Sequence, residues 1–306
     1  MRVPSQVIIF NPAARGEKAG GLEAELKALT RSAELWRTEE AGDAERFARR
    51  AVEKGVEMVI AAGGDGTINE VVRGLASVPE AEVTLGLLPT GTMNVFAYEL
   101  GLPTSNLKKC WEVIQRGHTR RIDLPRANGH PFVQMAGVGF DAQIVENTKW
   151  EDRKNFGPLS YLFSAAQVAG ETAPALTIIR KNEPLMDGSF VLVGNGRYYG
   201  GPFVLFKEAN MQDGLLDVLV FQNLGIIDLL RYVQGIIFGT LHPGMDDVKY
   251  FQTASLEVYS TPIVPVEVDG EVIDETPVRL TVQPAGLLVC APPEKVSRNK
   301  STSHAK

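Results

Sequence analysis

The sequence predicts an N-terminal α/β domain built on a parallel sheet, followed by a C-terminal β-sandwich domain. Three observations carry this. Up to about residue 123, apolar runs of strand length alternate with stretches of helical period. Beyond it, short strand signals follow one another between Gly, Pro and Asn turns. The chain of 306 residues, 44% hydrophobic and 22% charged, is long enough for two ordinary cores.

Residues 7–10 (VIIF) form a continuous apolar run, as a strand buried on both faces does. Leu22, Leu26 and Leu29 then recur at helical spacing. Residues 34–38 supply the second strand. Asp43 is placed to cap a helix whose inner face is Ala44, Phe47, Ala48, Ala51 and Val52, and Gly55 stops it. The third strand, 56–62, runs into a helix from about Thr67 with Ile68, Val71, Val72 and Leu75 inward. The fourth, 84–88, leads to a short helix stopped at Gly101 and Pro103. A last helix buries Leu107, Cys110, Trp111 and Ile114 before Gly117. This alternation gives a parallel sheet covered on both faces.

Further strands are expected at 132–136, 176–180, 190–194, 216–221, 255–259, 266–268 and 278–282, with one helix among them at 224–238. The last strand is expected to return to the first domain. The expected division is 1–124 for the α/β domain, 125–291 for the β-rich domain and 292–306 for a flexible basic tail.

The net charge of -6 speaks against nucleic-acid binding, which usually needs a basic excess or a basic face. Cys110 and Cys290 stand in no CxxC or Cys/His cluster, and the 4 histidines are scattered, so neither a disulfide framework nor a zinc site is expected. The run at 7–10 is too short for a signal-peptide core. No stretch reaches transmembrane length, and 224–238 is interrupted by Asp228, Arg231 and Gln234. The expectation is a cytoplasmic protein in a reducing compartment.

The strongest chemical signal is GGDGT at 63–67, after an apolar strand and at the start of a helix. Its glycines let backbone N–H groups approach an anion, and the helix N-terminus directs its dipole to the same place. Asp65 would repel bare phosphate, but makes sense where Mg²⁺ bridges carboxylate and phosphate oxygens. A Gly-rich turn with a capping Asp is the plainer alternative. Two more loops, 11–16 (NPAARG) and 89–94 (PTGTMN), and Thr38 follow strands at the same edge of the sheet, where open α/β sheets bind ligands. Together they predict one nucleotide site.

No GxxxxGK[ST] is present, which disfavours a P-loop enzyme. The GxGxxA at 137–142 lacks flanking βαβ units and reads as a structural turn of the second domain. In VDGE at 268–271, Asp269 and Glu271 stand two apart, and in an ideal strand both face one side. One could accept a hydroxyl proton while the other holds Mg²⁺ or a positioning group; the spacing leaves open which does what. Solvated acids on an Asp-Gly turn are the plainer alternative.

The segments NPAARG, AAGGDGTINEVVRGL, LLPTGTMNVFAYELGLP, GVGFDA, ANMQDGLLDV and VEVDGE stand here in the order found in the diacylglycerol kinase catalytic-domain family. The chain resembles a bacterial lipid kinase of that family over nearly its whole length, to about Ala291. GGDGT alone is shared with NAD kinases. The resemblance implies an NAD-kinase/diacylglycerol-kinase-like nucleotide domain, with the active site in the cleft against the β-rich domain. It implies ATP contacts from Asn11, Pro12, Ala13, Ala14, Arg15, Thr38, Gly64, Asp65, Gly66, Thr67, Ile68, Asn69, Glu70 and Thr92. It implies Glu271 as catalytic base; Asp65 and Asp269 are catalytic candidates from the reading of the residues above. A structural Mg²⁺ maps to Asn210, Asp213 and Leu215, partly through backbone carbonyls; Asp213-Gly214 alone would read as a plain turn. Two departures touch the nucleotide. Val95 follows Asn94 where the family often has Asp, and Ala13-Ala14-Arg15 stands where similar proteins often have Ser or Gly.

The expected function is an ATP- and Mg²⁺-dependent kinase acting on a lipid alcohol, with diacylglycerol as the default acceptor. A GGDGT-type kinase acting on NAD and a non-catalytic nucleotide-binding regulator are the alternatives. DGE and ANMQDGLLDV count against the first, the intact Asp65 and Glu271 against the second. A lipid acceptor implies transient peripheral membrane contact. The helix at 224–238 is expected to pack on the sandwich, with an acyl pocket or membrane docking as the alternative. A homodimer is left open, and the tail adds Lys295, Arg298, Lys300 and Lys306.

Overall fold

The computed structural model describes residues 5–13, 19–30, 33–78, 82–147, 173–241 and 245–293. Ala14, Arg15 and the four basic residues of the tail lie outside them. The first half contains β1 (Gln6–Phe10), α1 (Ala19–Leu29), β2 (Glu34–Arg37), α2 (Asp43–Glu53), β3 (Met58–Gly63), α3 (Asp65–Ala76), β4 (Thr84–Pro89), α4 (Val95–Glu99) and α5 (Leu107–Arg116). Its strands are parallel, in the order β2-β1-β3-β4. Val7, Ile8, Ile9 and Phe10 are all fully buried, which explains their unbroken apolar run. Parallel pairing puts the carboxyl ends of all four strands at one edge.

Two expectations change here. Asp43 is not the cap of α2, because Gly42 holds that position with φ 86. The buried Asp43 carboxylate turns back instead and accepts the N–H groups of Glu39 (2.8 Å) and Glu40 (3.2 Å), fixing the preceding loop. Helix α3 begins at Asp65, so Asp65, Gly66 and Thr67 of GGDGT form its first turn, with Gly64 as its cap.

The second half is β5 (Thr119–Ala127), β6 (His130–Pro131), β7 (Met135–Val138), α6 (Phe140–Asn147), β8 (Ala175–Ile179), β9 (Met186–Gly188), β10 (Phe190–Gly194), β11 (Tyr198–Tyr199), β12 (Phe203–Val204), β13 (Leu216–Phe221), α7 (Ile226–Phe238), β14 (Val248–Thr253), β15 (Ser255–Thr261), β16 (Pro265–Val268), β17 (Glu271–Glu275) and β18 (Val278–Cys290). An antiparallel sheet runs β14-β13-β10-β7-β16-β17. Its central strands are buried on both faces. Val191, Val193, Val218 and Val220 point into the sandwich, whereas Phe190, Leu192, Leu219 and Phe221 pack with Leu229 and Tyr232 of α7. The GxGxxA segment is more than a turn: Gly139 (φ 89) ends β7, and α6 starts at once. Its short helical stretch carries too little periodicity to stand out in the sequence.

Strand β18 ties the halves together. Its first part pairs with β15 and β5, and its end lies parallel to β4, with Leu288 opposite Thr84. The register shifts between Gln283 and Leu287, where Ala285 has φ 53; an irregularity of this kind bends a strand and lets it serve two partners. Among the described residues, no helix is long and apolar enough to cross a membrane. Both cysteines are buried free thiols, and burial pushes each up to about 11.

Candidate active site

Each loop at the carboxyl edge starts with a ladder bond to the next strand. Asn11 N–H donates to Ala62 O (3.0 Å), Thr38 N–H to Phe10 O (2.9 Å) and Thr90 N–H to Gly63 O (2.8 Å). Asn11 Nδ2 donates to Thr67 Oγ1 at 3.0 Å, joining the first loop to GGDGT, and its Oδ1 accepts the Ala13 N–H at 2.9 Å. The loops holding Gly64 and Gly91 are stacked tightly. A Cβ on Gly91 would lie 2.6 Å from Gly64 Cα, so only glycine fits. Asn94, at φ 51, exchanges two hydrogen bonds with Gly91 (2.9 and 2.8 Å).

Burial raises the pKa of Asp65, and the backbone N–H groups of Phe96, Asn94 and Val95 pull it partly back. Its Oδ1 is buried without a hydrogen-bond partner. A buried carboxylate oxygen without a donor fits a divalent cation. Two members of the expected nucleotide set face elsewhere. Ile68 is fully buried in the core, so only its backbone is available. Glu70 Oε2 accepts the Ala44 N–H at 3.1 Å, holding the first turn of α2.

The opposite wall is the turn between β16 and β17. Asp269 (φ 49) and Gly270 (φ 86) are both left-handed, so Asp269 and Glu271 do not share a side as an ideal strand would require. Asp269 turns inward, and its carboxylate accepts the N–H groups of Val133 (2.7 Å), Gln134 (2.9 Å) and Met135 (3.0 Å). Burial nevertheless lifts its pKa to about 6. Asn69 Nδ2 reaches the Asp269 carbonyl at 3.3 Å, fastening α3 to this turn. Glu271 emerges toward α3, where its Oε2 accepts Arg73 Nη1 at 2.7 Å; Arg73 Nε in turn donates to Glu45 Oε2 at 3.1 Å. Glu271 Oε1 lies 4.0 Å from the place a Cβ on Gly66 would occupy. The last acid of DGE thus stands over the first turn of GGDGT.

Between the walls lies a cavity of about 180 Å³, lined by Asp65, Asn69, Asp269 and residues the sequence did not single out, including Asp141, Glu267 and Tyr199. Tyr199 OH donates to Asp141 Oδ1 at 2.6 Å. Glu99, at the end of α4, accepts Gln134 Nε2 (3.0 Å) and the N–H groups of Arg197 (2.7 Å) and Tyr198 (3.2 Å), clamping the two walls together. Asp141 and Glu267 stand inside GVGFDA and VEVDGE, but no spacing shows that the two segments meet.

The segment 210–215 is an ordered turn. Asp213 N–H donates to Asn210 O (3.3 Å), and Leu215 N–H donates to Asp213 Oδ1 (2.9 Å). Asp123, unmarked in the sequence, buttresses it by accepting the N–H groups of Gly214 (2.7 Å) and Ala285 (2.8 Å). Asn210 and Asp213 are exposed. An amide, a carboxylate and a carbonyl form an oxygen-only donor set, which suits Mg²⁺. Among the described residues, no group of three or more His, Cys, Asp or Glu gathers to hold a metal.

Glycine loops on an α/β domain, an acid delivered from a β-sandwich and a cavity between them define a two-domain kinase. Residues 5–127 match the diacylglycerol kinase catalytic domain, and 134–291 match the YegS C-terminal NAD kinase beta sandwich-like domain. The chain therefore belongs to the diacylglycerol kinase family of lipid kinases. It is 33% identical to a Salmonella arizonae protein named "Probable lipid kinase YegS", over 84% of this chain and 85% of that one. It is 32% identical to "Uncharacterized protein sll0036" of Synechocystis over 89% of this chain, but spans only 64% of that protein's length. A diacylglycerol kinase structure from Bacillus anthracis str. Sterne superposes with a TM-score of 0.77 at 27% identity, over 96% of this chain and 98% of that one.

Proposed function

We propose that this chain transfers the γ-phosphate of Mg²⁺-bound ATP to the hydroxyl of a lipid such as diacylglycerol. The observation that carries this is Glu271 Oε1, 4.0 Å from the Cβ position of Gly66 in the glycine loop, on the turn whose Asp269 and Gly270 line the cavity that also holds Asp65. ATP would lie on the loops of Asn11, Pro12, Ala13, Ala14, Arg15, Thr38, Gly64, Gly66, Thr67, Asn69 and Thr92. Asp65 would hold Mg²⁺, which when bound neutralises charge on the phosphate oxygens. Glu271 takes the proton of the lipid hydroxyl. The lipid oxygen then bonds to the γ-phosphorus, and the bond to the β–γ bridging oxygen breaks with its electron pair leaving on ADP. Asp269 positions the turn and does not touch the reacting atoms. A second Mg²⁺ at Asn210, Asp213 and Leu215 would be structural.

In this reading 1–124 binds ATP and 125–291 admits the lipid. The exposed face of α7, with Ile227 at 77% and Phe238 at 70% exposure, supports peripheral contact with a membrane. The test is γ-labelled ATP and Mg²⁺ with a panel of lipid alcohols in micelles, and NAD in a parallel tube. Label in a lipid is expected; label in NAD alone would establish the other GGDGT-type reaction.

A further inference from the structure

The cavity holds more acid than phosphoryl transfer requires. Besides Asp65 and Asp269 it is lined by Asp141 and Glu267, which are 5% and 1% exposed. These two face each other across Gly137: a Cβ there would lie 2.5 Å from Asp141 Oδ2 and 2.8 Å from Glu267 Oε1. Glycine at this position is what lets the pair close. Glu267 Oε2 accepts the Gly270 N–H at 2.8 Å. Its Oε1 is buried without a hydrogen-bond partner, as is Asp65 Oδ1 in the same cavity. Burial, with the neighbouring Asp141 charge, holds Glu267 well above the usual carboxylate range. With Asp65 and Asp269, the pair makes the lining of the cavity acidic. Among the described residues, no Lys, Arg or His lines the cavity.

We propose that Asp141, Glu267 and Tyr199 form the floor of the acceptor-headgroup subsite, which admits uncharged or cationic lipid alcohols and rejects those carrying a phosphodiester beside the reacting hydroxyl. This rests on the lipid-kinase reading of the same cleft. A phosphodiester brings only acceptors and a negative charge to a floor that already has both. A hydroxyl or an ammonium supplies the donor that Glu267 Oε1 lacks. Met93, Phe96 and Val145 line the same cavity and give apolar contact to the first carbons of the chains.

The test compares kcat/KM of the full chain for diacylglycerol, a long-chain amino alcohol and phosphatidylglycerol in identical neutral micelles with γ-labelled ATP. Diacylglycerol or the amino alcohol is expected to exceed phosphatidylglycerol by ~100-fold, the size of one like-charge contact in a partly shielded site. The double variant Asp141→Asn/Glu267→Gln removes the charge that a single substitution would leave on the partner. It should raise the ratio of phosphatidylglycerol to diacylglycerol labelling by ~10-fold. Phosphatidylglycerol used by the wild type within ~3-fold of the others overturns the inference and leaves the kinase reading standing. A ratio unchanged in a folded double variant removes the pair from selection. No label in any lipid overturns both readings, and the wild-type ratio decides even if the variant does not fold.

Discussion

The nucleotide-side wall of the cleft is assembled from neighbours, and the acceptor-side wall from strangers. On the first, Gly91 and Asn94 bond across three positions and Asn11 reaches Thr67 in the next unit but one. On the second, Asp269 holds the segment 133–135 from at least 134 positions away, and Glu271 meets Arg73 across 198. Each strand–loop–helix unit shapes much of its part of the first wall, and contacts between neighbouring units complete it. The second exists only once the six-stranded sheet that carries β7, β16 and β17 packs against the ten-stranded sheet in which β18 links β4 to β15. Substitutions on the first wall should therefore alter nucleotide binding, and substitutions on the second should alter transfer or folding.

The largest effect expected is on the nucleotide side. Asp65→Asn should weaken Mg²⁺-dependent ATP binding and lower transfer by ~1,000-fold, since it would take away the buried oxygen proposed to hold the cation. An ATP titration with and without Mg²⁺ checks it; unchanged binding and turnover would detach Asp65 from the site. Arg73→Ala frees Glu271 while touching no nucleotide loop. It should cut kcat ~10-fold through loss of positioning, with the affinity for ATP little changed. An equal loss in ATP affinity would erase the distinction between the walls.

Asp269→Asn tests folding of the acceptor side. Losing an acceptor of three backbone N–H groups should cost about 1–3 kcal/mol in urea unfolding. The pH dependence has a definite sign. The folded-state pKa of Asp269 is about 6 against an ordinary 3.8, so the native state binds that proton more tightly. Its contribution is most favourable below the lower value and declines as pH rises through the window between them. The stability difference between wild type and variant should shrink over that window, and a growing difference would contradict it. The smallest effect is expected at the surface. Leu230→Glu, at a side chain 57% exposed on α7, should leave the melting temperature unchanged and reduce vesicle binding ~3-fold. A lowered melting temperature would place that side chain in the core instead.

This contrast also decides what could be read in the sequence. The parallel sheet, the order of its helices and the glycine loops were legible because strand burial and βα turns leave local signatures at 7–10, 63–67 and 89–94. The role of Asp43 was misplaced by one position, since a carboxylate beside a helix start caps the helix or the loop according to backbone angles that sequence does not display. Asp269 and Glu271 were found but given a common side, because the left-handed turn at Asp269 and Gly270 breaks strand alternation. The Asp141–Glu267 pair was invisible: its closeness depends on β7 and β16 pairing, with Gly137 opposite Glu267.

The most direct test of the cleft as the place of transfer is Glu271→Gln, measured beside the wild type with γ-labelled ATP and diacylglycerol micelles, and with ATP binding titrated on both. Transfer should fall by at least ~100-fold, the contribution of a general base, while ATP binding stays as in the wild type. Wild-type turnover in that variant would contradict the role of Glu271 and with it the pairing of the two walls.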